Sequence, residues 1–268
     1  MNKSLQELRQ SFVRFFLKAE KAKFTDREGL TLVTVESQTK GLGIAKQILY
    51  LLTEKNPNTV LFLSGGKTPE DLYRQITEEA RLKVEAVAMV DERFGPRLHN
   101  NSNERMIGET GFWSYLEKKK ISFYSILRLH PKGVASDFVR DYDRKVKYLL
   151  GHFSKKIAVL GIGKDGHTAG IAPNRKDFIN PLFSKSLLVG SFKDHRSMDE
   201  GGFGTRITLT FEALRKMDIL LVLAFGEEKK EALRKMFNRG SLEEIPARFY
   251  TSEPQIVQRT ILITDQKV

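Results

Sequence analysis

Short apolar runs alternate with longer segments of helical periodicity along most of this chain. The longest run, residues 219–225, contains no polar side chain and has the length of a buried strand. Seven further strand candidates are residues 60–63, 84–90, 121–124, 157–160, 187–191, 207–209 and 260–264. Continuously apolar strands that alternate with helices are typical of a parallel sheet covered on both faces. The sequence therefore predicts an α/β fold with a mostly parallel sheet.

The helix-like segments between these runs indicate one domain, which is preceded by an N-terminal extension. The predicted helices are residues 38–52, 69–80, 102–119, 135–150 and 227–238. Because no linker-like, low-complexity or repeated segment interrupts them, we expect a single domain over 31–268. Residues 1–30 carry Leu5, Leu8, Phe12 and Phe16 close to helical spacing with basic residues between them. This pattern predicts an amphipathic extension that packs on the domain, with a membrane-surface role as the alternative.

Composition narrows the function classes. The chain of 268 residues has no cysteine, which excludes disulfides, thiolate zinc sites and cysteine nucleophiles and favours a reducing, cytoplasmic location. No apolar stretch reaches the roughly 18 residues of a membrane span. The net charge of +12 favours phosphorylated metabolites, whereas the scattered basic residues give no nucleic-acid motif. His99, His130, His152 and His195 show no metal-ligand spacing among themselves, so we expect no metal site.

Polar, glycine-containing segments follow four of the predicted strands. These segments are residues 64–67, 91–93, 161–167 and 226–229. In open parallel sheets, ligands bind beyond the carboxyl ends of the strands. We therefore expect the four segments to meet in one cleft.

The segment after the strand at 157–160 is the most informative of the four. Three glycines bracket Lys164, Asp165 and His167, and glycine is used where the backbone approaches a ligand or needs a positive φ. His167 is a candidate for proton transfer, and the alternative is a tight turn with a locally bonded histidine. The spacing also satisfies G-x-G-x-x-G, but Pro173 leaves little room for the long helix of a dinucleotide site.

The segment beginning at Ser64 predicts an anion site at a helix start. Thr68 fits the N-cap, Pro69 the first helical position and Asp71 a capping box. The amides of Gly65 and Gly66 would then face an anion together with the helix N-terminus. The segment is not a Walker loop, since the required first glycine is a leucine at position 61. A capped turn without a ligand is the alternative.

The segment Asp91-Glu92-Arg93 carries both signs of charge. Adjacent residues of an extended chain point to opposite faces, so Asp91 and Arg93 would share the cleft while Glu92 faces away. The forked donors of an arginine suit a phosphate. A structural ion pair at the strand end is the alternative.

Taken together, these segments resemble the 6-phosphogluconolactonase branch of the glucosamine-6-phosphate deaminase superfamily. The resemblance covers residue 31 to the C-terminus, in the same order. It is carried by Ser64-Gly-Gly-Lys-Thr-Pro, Asp91-Glu-Arg with Ser102-Asn103, the loop from Gly161 to Ala169, Arg206-Ile-Thr-Leu-Thr and the segment Gly226-Glu-Glu-Lys229.

The resemblance implies a NagB/RpiA-like modified Rossmann fold and a cofactor-free hydrolase. The implied reaction is the conversion of 6-phospho-D-glucono-1,5-lactone to 6-phospho-D-gluconate in the oxidative pentose phosphate pathway. By this resemblance, His167 would be the general base. From its position two residues earlier, Asp165 is a candidate to orient the imidazole or to stabilise its charged form. The candidate ligands of the phosphorylated sugar lactone are Ser64, Gly65, Gly66, Lys67, Thr68, Asp91, Arg93, Ser102, Asn103, Gly163, Arg206 and Lys229. The oligomeric state is left open.

Two departures from the family pattern accompany two alternative functions. Ala172 stands where the family has an aromatic residue, which would enlarge the pocket wall, and residues 198–204 form an unusual stretch. The related deaminases place a glutamate shortly after the histidine, and residues 168–174 contain no acid, which favours the lactonase. The third possibility is a non-catalytic sugar-phosphate sensor of the kind that is fused to a DNA-binding domain. The N-terminal extension is too short to form a helix-turn-helix, which disfavours this possibility.

Overall fold

The computed structural model describes residues 23–127, 133–173, 186–193 and 203–268. Most of the predicted N-terminal extension, residues 1–22, and most of the stretch 198–204 lie outside these ranges. No helix within the described ranges is both long and apolar enough to cross a membrane.

The described residues form eleven strands. These are β1 (Lys23–Arg27), β2 (Leu30–Thr34), β3 (Thr59–Leu63), β4 (Ala86–Met89), β5 (Asp91–Arg93), β6 (Ser122–Tyr124), β7 (Lys155–Gly161), β8 (Val189–Lys193), β9 (Thr205–Leu209), β10 (Ile219–Ala224) and β11 (Thr260–Thr264). Eight of them form one sheet in the order β1-β2-β11-β10-β7-β3-β4-β6. All its pairings are parallel except β1 with β2. The predicted mostly parallel sheet is thus confirmed.

The order and register of the strands explain why the polar segments meet. Strands β10, β7, β3 and β4 are neighbours, and each is followed by one of the four segments. Leu63 of β3 lies opposite Val159 of β7, and Gly161 of β7 lies opposite Leu223 of β10. These strands therefore end side by side. The apolar runs in β3, β7 and β10 are explained by helices that cover both faces of the sheet. Strands β3 and β10 are buried along their whole length.

A second, antiparallel sheet holds β5, β9 and β8 in that order. The sequence pattern placed the runs at 187–191 and 207–209 in the alternation of the main sheet, and this was wrong. They pair with each other and with β5, which continues the chain directly after β4. The pairing sets Arg93 opposite Arg206 and Asp91 opposite Thr208. A strand as short as β5 carried no apolar pattern that could reveal this sheet.

Nine α-helices and two short 3-10 helices, Glu227–Lys229 and Pro246–Arg248, complete the described structure. The α-helices are α1 (Gln38–Lys55), α2 (Lys67–Glu79), α3 (Asn103–Glu109), α4 (Phe112–Lys118), α5 (Ala135–His152), α6 (Phe211–Arg215), α7 (Lys230–Phe237), α8 (Phe249–Ser252) and α9 (Pro254–Val257). The predicted helix 102–119 is two helices, because Gly111 adopts a left-handed conformation with a φ of 79°. Residues 23–27 of the predicted extension form β1, which pairs with β2.

The predicted start of α2 was also wrong. The helix begins at Lys67 with Gly66 as N-cap, at a φ of 111°, and no side chain caps it. Pro69 is therefore the third helical residue, and Thr68 is not the N-cap. The Asp71 carboxylate accepts a hydrogen bond from Gln38 Nε2 at 3.0 Å rather than closing a capping box. A glycine N-cap leaves the helix start open, because no side chain occupies the first amides.

Candidate active site

A cleft of about 190 Å³ opens at the carboxyl ends of β3, β7 and β10. Eleven predicted site residues line it, namely Ser64, Gly65, Gly66, Thr68, Asp91, Arg93, Asn103, Gly163, His167, Arg206 and Lys229. Ile162, Ala169 and Leu223 form an apolar part of the wall, and none of the three was predicted as a site residue. The lining carries three cationic side chains and one carboxylate, so the cleft suits an anionic ligand.

Three predicted site residues do not line the cleft. Lys67 is exposed at the start of α2, although its amide belongs to the helix N-terminus. Ser102 is buried as the N-cap of α3, where its hydroxyl accepts a hydrogen bond from the Arg105 amide. Asp165 contacts the Nδ1 atom of His167 and does not itself line the cleft. Ala172, whose small side chain was expected to enlarge the pocket wall, is buried outside the lining.

His167 and Asp165 form a pair within the loop after β7. The Asp165 Oδ1 atom lies 2.5 Å from His167 Nδ1 and also accepts the His167 amide at 3.1 Å. An ionised carboxylate at Nδ1 favours the tautomer that carries its proton there, which leaves Nε2 as the acceptor. The imidazole is 38% exposed and lines the cleft. The imidazole therefore lines the cleft while Asp165 contacts its Nδ1 atom, an arrangement suited to proton transfer.

Gly163 is the residue that makes room for this imidazole. A Cβ atom built at Gly163 would lie 2.0 Å from both Cε1 and Nδ1 of His167. The same atom would lie 2.8 Å from Asp165 Oδ1. The Gly163 amide also donates to the His167 carbonyl at 2.9 Å, which folds the loop back on itself. Only glycine permits this close approach.

The open N-terminus of α2 forms a second wall. The first amides of a helix have no partner within it, and the helix dipole favours an anion there. The Ser64 hydroxyl is buried beside this wall and has no hydrogen-bond partner in the described part of the chain. The carbonyl of Ser64 is fixed by Tyr73, whose hydroxyl donates to it at 2.8 Å. A Cβ at Gly65 would collide with the Asn103 carboxamide, so α2 and α3 meet here.

Asp91 is tied into a buried network. Arg206 donates to Asp91 Oδ2 at 2.7 Å, and both side chains are almost completely buried. Asn103 Nδ2 donates to the same oxygen at 3.1 Å and to the Asp91 carbonyl at 2.9 Å. Gly170, with a φ of 72°, passes directly over this pair. Asp91 thus holds Arg206 in place at the cleft.

Glu92 faces away from the cleft, as the alternation along β5 predicts. Its buried carboxylate accepts the amides of Asn103 and Glu104 and the hydroxyl of Ser102, each within 2.9 Å. Burial raises the pKa of Glu92 to about 7, against the opposing effect of these donors. Glu92 therefore fixes the start of α3, and through it Asn103.

Arg93 and Lys229 supply the accessible positive charge. Arg93 Nη1 donates to the Asn101 carbonyl and to Asn103 Oδ1, each at 3.0 Å. The Arg93 carbonyl lies 3.0 Å from His99 Nε2, and His99 Nδ1 accepts the Asn101 amide. Burial lowers the pKa of His99, so its ring is neutral and Nε2 is the donor. His99 thus links the backbone of Arg93 to that of Asn101, a contact that the spacing of His99 in the sequence did not indicate.

Lys229 follows Gly226, whose positive φ of 97° turns the chain into the cleft after β10. The Gly226 amide is held by the Asp265 carboxylate at 3.0 Å. Lys229 Nζ lies 3.8 Å from Glu228 Oε1, which is a loose contact with an exposed carboxylate. No group of three or more potential metal ligands occurs among the described residues.

The fold and the cleft define a class: an α/β protein with a positively charged cleft at the carboxyl edge of its sheet, beside a histidine–aspartate pair. Residues 39–259 match the family model described as glucosamine-6-phosphate isomerases/6-phosphogluconolactonase. The chain belongs to this family. The resemblance inferred from the motifs is confirmed at this level.

Curated relatives carry both names of the family. A 6-phosphogluconolactonase of Rhizobium meliloti (strain 1021) is 27% identical over 193 residues, which cover 70% of this chain and 77% of the relative. A glucosamine-6-phosphate deaminase of Staphylococcus epidermidis is 25% identical over 217 residues, which cover 78% and 87%.

Solved structures share the fold. The 6-phosphogluconolactonase from Plasmodium vivax superposes with a TM-score of 0.72 at 20% identity and covers 98% of this chain and 96% of its own. A monomeric glucosamine-6-phosphate deaminase superposes with a TM-score of 0.68 at 21% identity, covering 87% of this chain and 96% of its own.

Proposed function

We propose that this protein hydrolyses 6-phospho-D-glucono-1,5-lactone to 6-phospho-D-gluconate. The observation that carries the proposal is the placement of His167, paired with Asp165, in the same cleft as Arg93, Arg206 and Lys229. A phosphorylated lactone needs both a proton acceptor near its carbonyl and positive charge around its phosphate. The relatives named 6-phosphogluconolactonase support the same activity.

In the proposed mechanism, His167 Nε2 takes a proton from a water molecule as the water oxygen bonds to the lactone C1. The carbonyl oxygen becomes an oxyanion, for which backbone amides of the glycine-rich segments are candidate donors. The oxyanion then reforms the carbonyl, the bond from C1 to the ring oxygen breaks, and the imidazolium returns its proton to that oxygen. Asp165 stabilises the imidazolium in between.

The phosphate is proposed to bind between the N-terminus of α2 and the side chains of Arg93 and Lys229. A dianion gains from the helix dipole and from charge-assisted hydrogen bonds at the same time. Arg206 is less suited to this contact, because its Nη1 is already bonded to buried Asp91. We assign Arg206 and Asp91 to shaping the sugar-facing wall instead.

Glucosamine-6-phosphate deamination is the second candidate, and relatives with that name support it. It requires a base that moves a proton between C1 and C2, for which Asp91 is the candidate. The Asp91 oxygen Oδ2 is held by Arg206 and Asn103, and this engagement disfavours the role. The absence of an acidic residue shortly after His167 is only weak evidence against deamination. Asp165, two residues before His167, already supplies a carboxylate to the imidazole.

A side-by-side assay tests the proposal. Purified protein is given 6-phosphogluconolactone, with the spontaneous opening of the lactone subtracted, and in parallel glucosamine 6-phosphate, with ammonia measured. We expect rapid lactone hydrolysis and no ammonia. Ammonia release at a comparable kcat/KM would reverse the assignment, and inactivity on both substrates would favour a sugar-phosphate sensor. The cytoplasmic location and the absence of a nucleic-acid partner stay predictions.

A further inference from the structure

Tyr250 links the histidine loop to the C-terminal part of the chain. Tyr250 lies in α8 and is completely buried, and its hydroxyl is hydrogen-bonded to Thr168 Oγ1. Thr168 is the residue directly after His167. Its own hydroxyl lies 2.9 Å from the carbonyl of Gly161, to which it donates.

The direction of both hydrogen bonds follows from their chemistry. A carbonyl can only accept, so the single hydroxyl hydrogen of Thr168 is used on Gly161. Tyr250 must then be the donor to Thr168 Oγ1. Burial raises the pKa of Tyr250, so this phenol keeps its proton. The result is a continuous chain from Tyr250 through Thr168 to Gly161, in which each bond polarises the next.

This chain closes the base of the loop that carries His167. Gly161 ends β7, and Thr168 begins the return of the loop, so the bond from Thr168 to Gly161 joins its two sides. The bond from Tyr250 to Thr168 attaches this closed base to α8. The same C-terminal region holds the loop at a second point, where the Ala247 amide donates to the Gly166 carbonyl at 3.0 Å. Ile245 packs against Gly166 so closely that a Cβ there would lie 2.9 Å from Ile245 Cγ2.

We propose that Tyr250 is a positioning residue, whose hydroxyl fixes the His167 loop so that the imidazole meets Asp165 and faces the cleft. The proposal rests on the proposed lactonase function for its kinetic test but not for its spectroscopic one. The aromatic ring of Tyr250 contributes to the buried core in any case. The hydroxyl is separable from the ring, since its contact is with Thr168.

Tyr250→Phe removes only this hydroxyl. Because a displacement of about 1 Å can cost up to roughly 100-fold in rate, we expect kcat to fall by about 10- to 100-fold with KM nearly unchanged. Tyr115→Phe is the matched control: Tyr115 is also buried and donates one bond, to the Leu82 carbonyl at 2.8 Å, away from the loop. This control should lose similar thermal stability and keep its kcat.

A second background separates positioning from general damage. If Tyr250 acts through His167, Tyr250→Phe should cause no further loss of lactonase activity in a His167→Ala protein. An equal loss in both backgrounds would overturn the proposal.

The spectroscopic test needs no substrate. With 15N-labelled histidine, the resonance of His167 is the one missing from His167→Ala, and its shifts report which nitrogen is protonated. We expect the Nδ1-protonated tautomer in the wild type and a mixture of tautomers in Tyr250→Phe. An unchanged tautomer together with an unchanged kcat would overturn the proposal. A wild type that is inactive on the lactone would refute the proposed function instead. The comparison of the His167 tautomer in the wild type and in Tyr250→Phe would then be the test of the positioning role.

Discussion

Gly163→Ala is the substitution by which the site geometry can be tested most sharply. The added Cβ would lie 2.0 Å from two atoms of the His167 ring, a distance that real Cβ contacts do not show. The Gly163 backbone is outside the positive φ region that resists alanine. The collision is therefore with a partly exposed side chain, which can rotate away from the cleft and from Asp165. We expect a folded protein with a displaced imidazole.

The magnitude follows from the role of the displaced group. A general base contributes roughly 10²- to 10⁴-fold in rate, or about 2.7–5.5 kcal/mol of transition-state stabilisation. Gly163→Ala should thus approach the kcat of His167→Ala. Gly161→Ala is the matched control in the same loop, because a Cβ there would meet only the Leu223 carbonyl at 3.9 Å, an ordinary contact.

Lactone hydrolysis is followed under identical conditions for the wild type and both alanine variants, with thermal unfolding measured alongside. We expect a large loss of kcat only in Gly163→Ala, with melting temperatures close together. Near-normal turnover in a folded Gly163→Ala protein would refute the claim that the imidazole must occupy its observed position. A loss that is equal in Gly161→Ala would assign the effect to the loop as a whole.

Three further predictions concern charge. Arg93→Ala and Lys229→Ala should each raise the calorimetric Kd for 6-phosphogluconate by roughly 10- to 150-fold, the cost of a lost charge-assisted hydrogen bond, and wild-type affinity in both would remove them from the site. Added salt should lower kcat/KM if the net charge of +12 steers the substrate, and a flat salt profile would argue against steering. Because the pKa of Glu92 is raised on folding, its protonation stabilises the folded state below about pH 4.5, and this contribution is lost as the pH rises through about 7. Urea unfolding measured across this range should show the decline in the wild type and a flatter profile in Glu92→Gln.

Most of the main sheet was predictable because β3, β4, β7, β10 and β11 each contain a continuous apolar run. The pattern located β3, β7, β10 and β11 to within a few residues, and the rule for parallel sheets correctly placed the segments after β3, β7 and β10 around one cleft. Strands β1, β2 and β5 were missed. β1 and β5 carry mostly polar residues, and β5 has only three residues, so neither gives an apolar run.

The individual contacts of the site were predictable only where they are local. The pairing of Asp165 with His167 spans two residues and could be anticipated, as could the opposite orientation of Glu92. The bond between Arg206 and Asp91 joins residues 115 apart, and that between Tyr250 and Thr168 joins residues 82 apart. No spacing along the chain encodes such pairs, because they depend on which strands become neighbours.

The central claim is that His167 activates the water that opens the lactone. Its most direct test is kcat for 6-phosphogluconolactone in the wild type and in His167→Ala, with spontaneous hydrolysis subtracted and folding checked by circular dichroism. We predict that kcat falls by roughly 10²- to 10⁴-fold while 6-phosphogluconate still binds. A folded His167→Ala protein that hydrolyses the lactone at a rate near that of the wild type would contradict the claim.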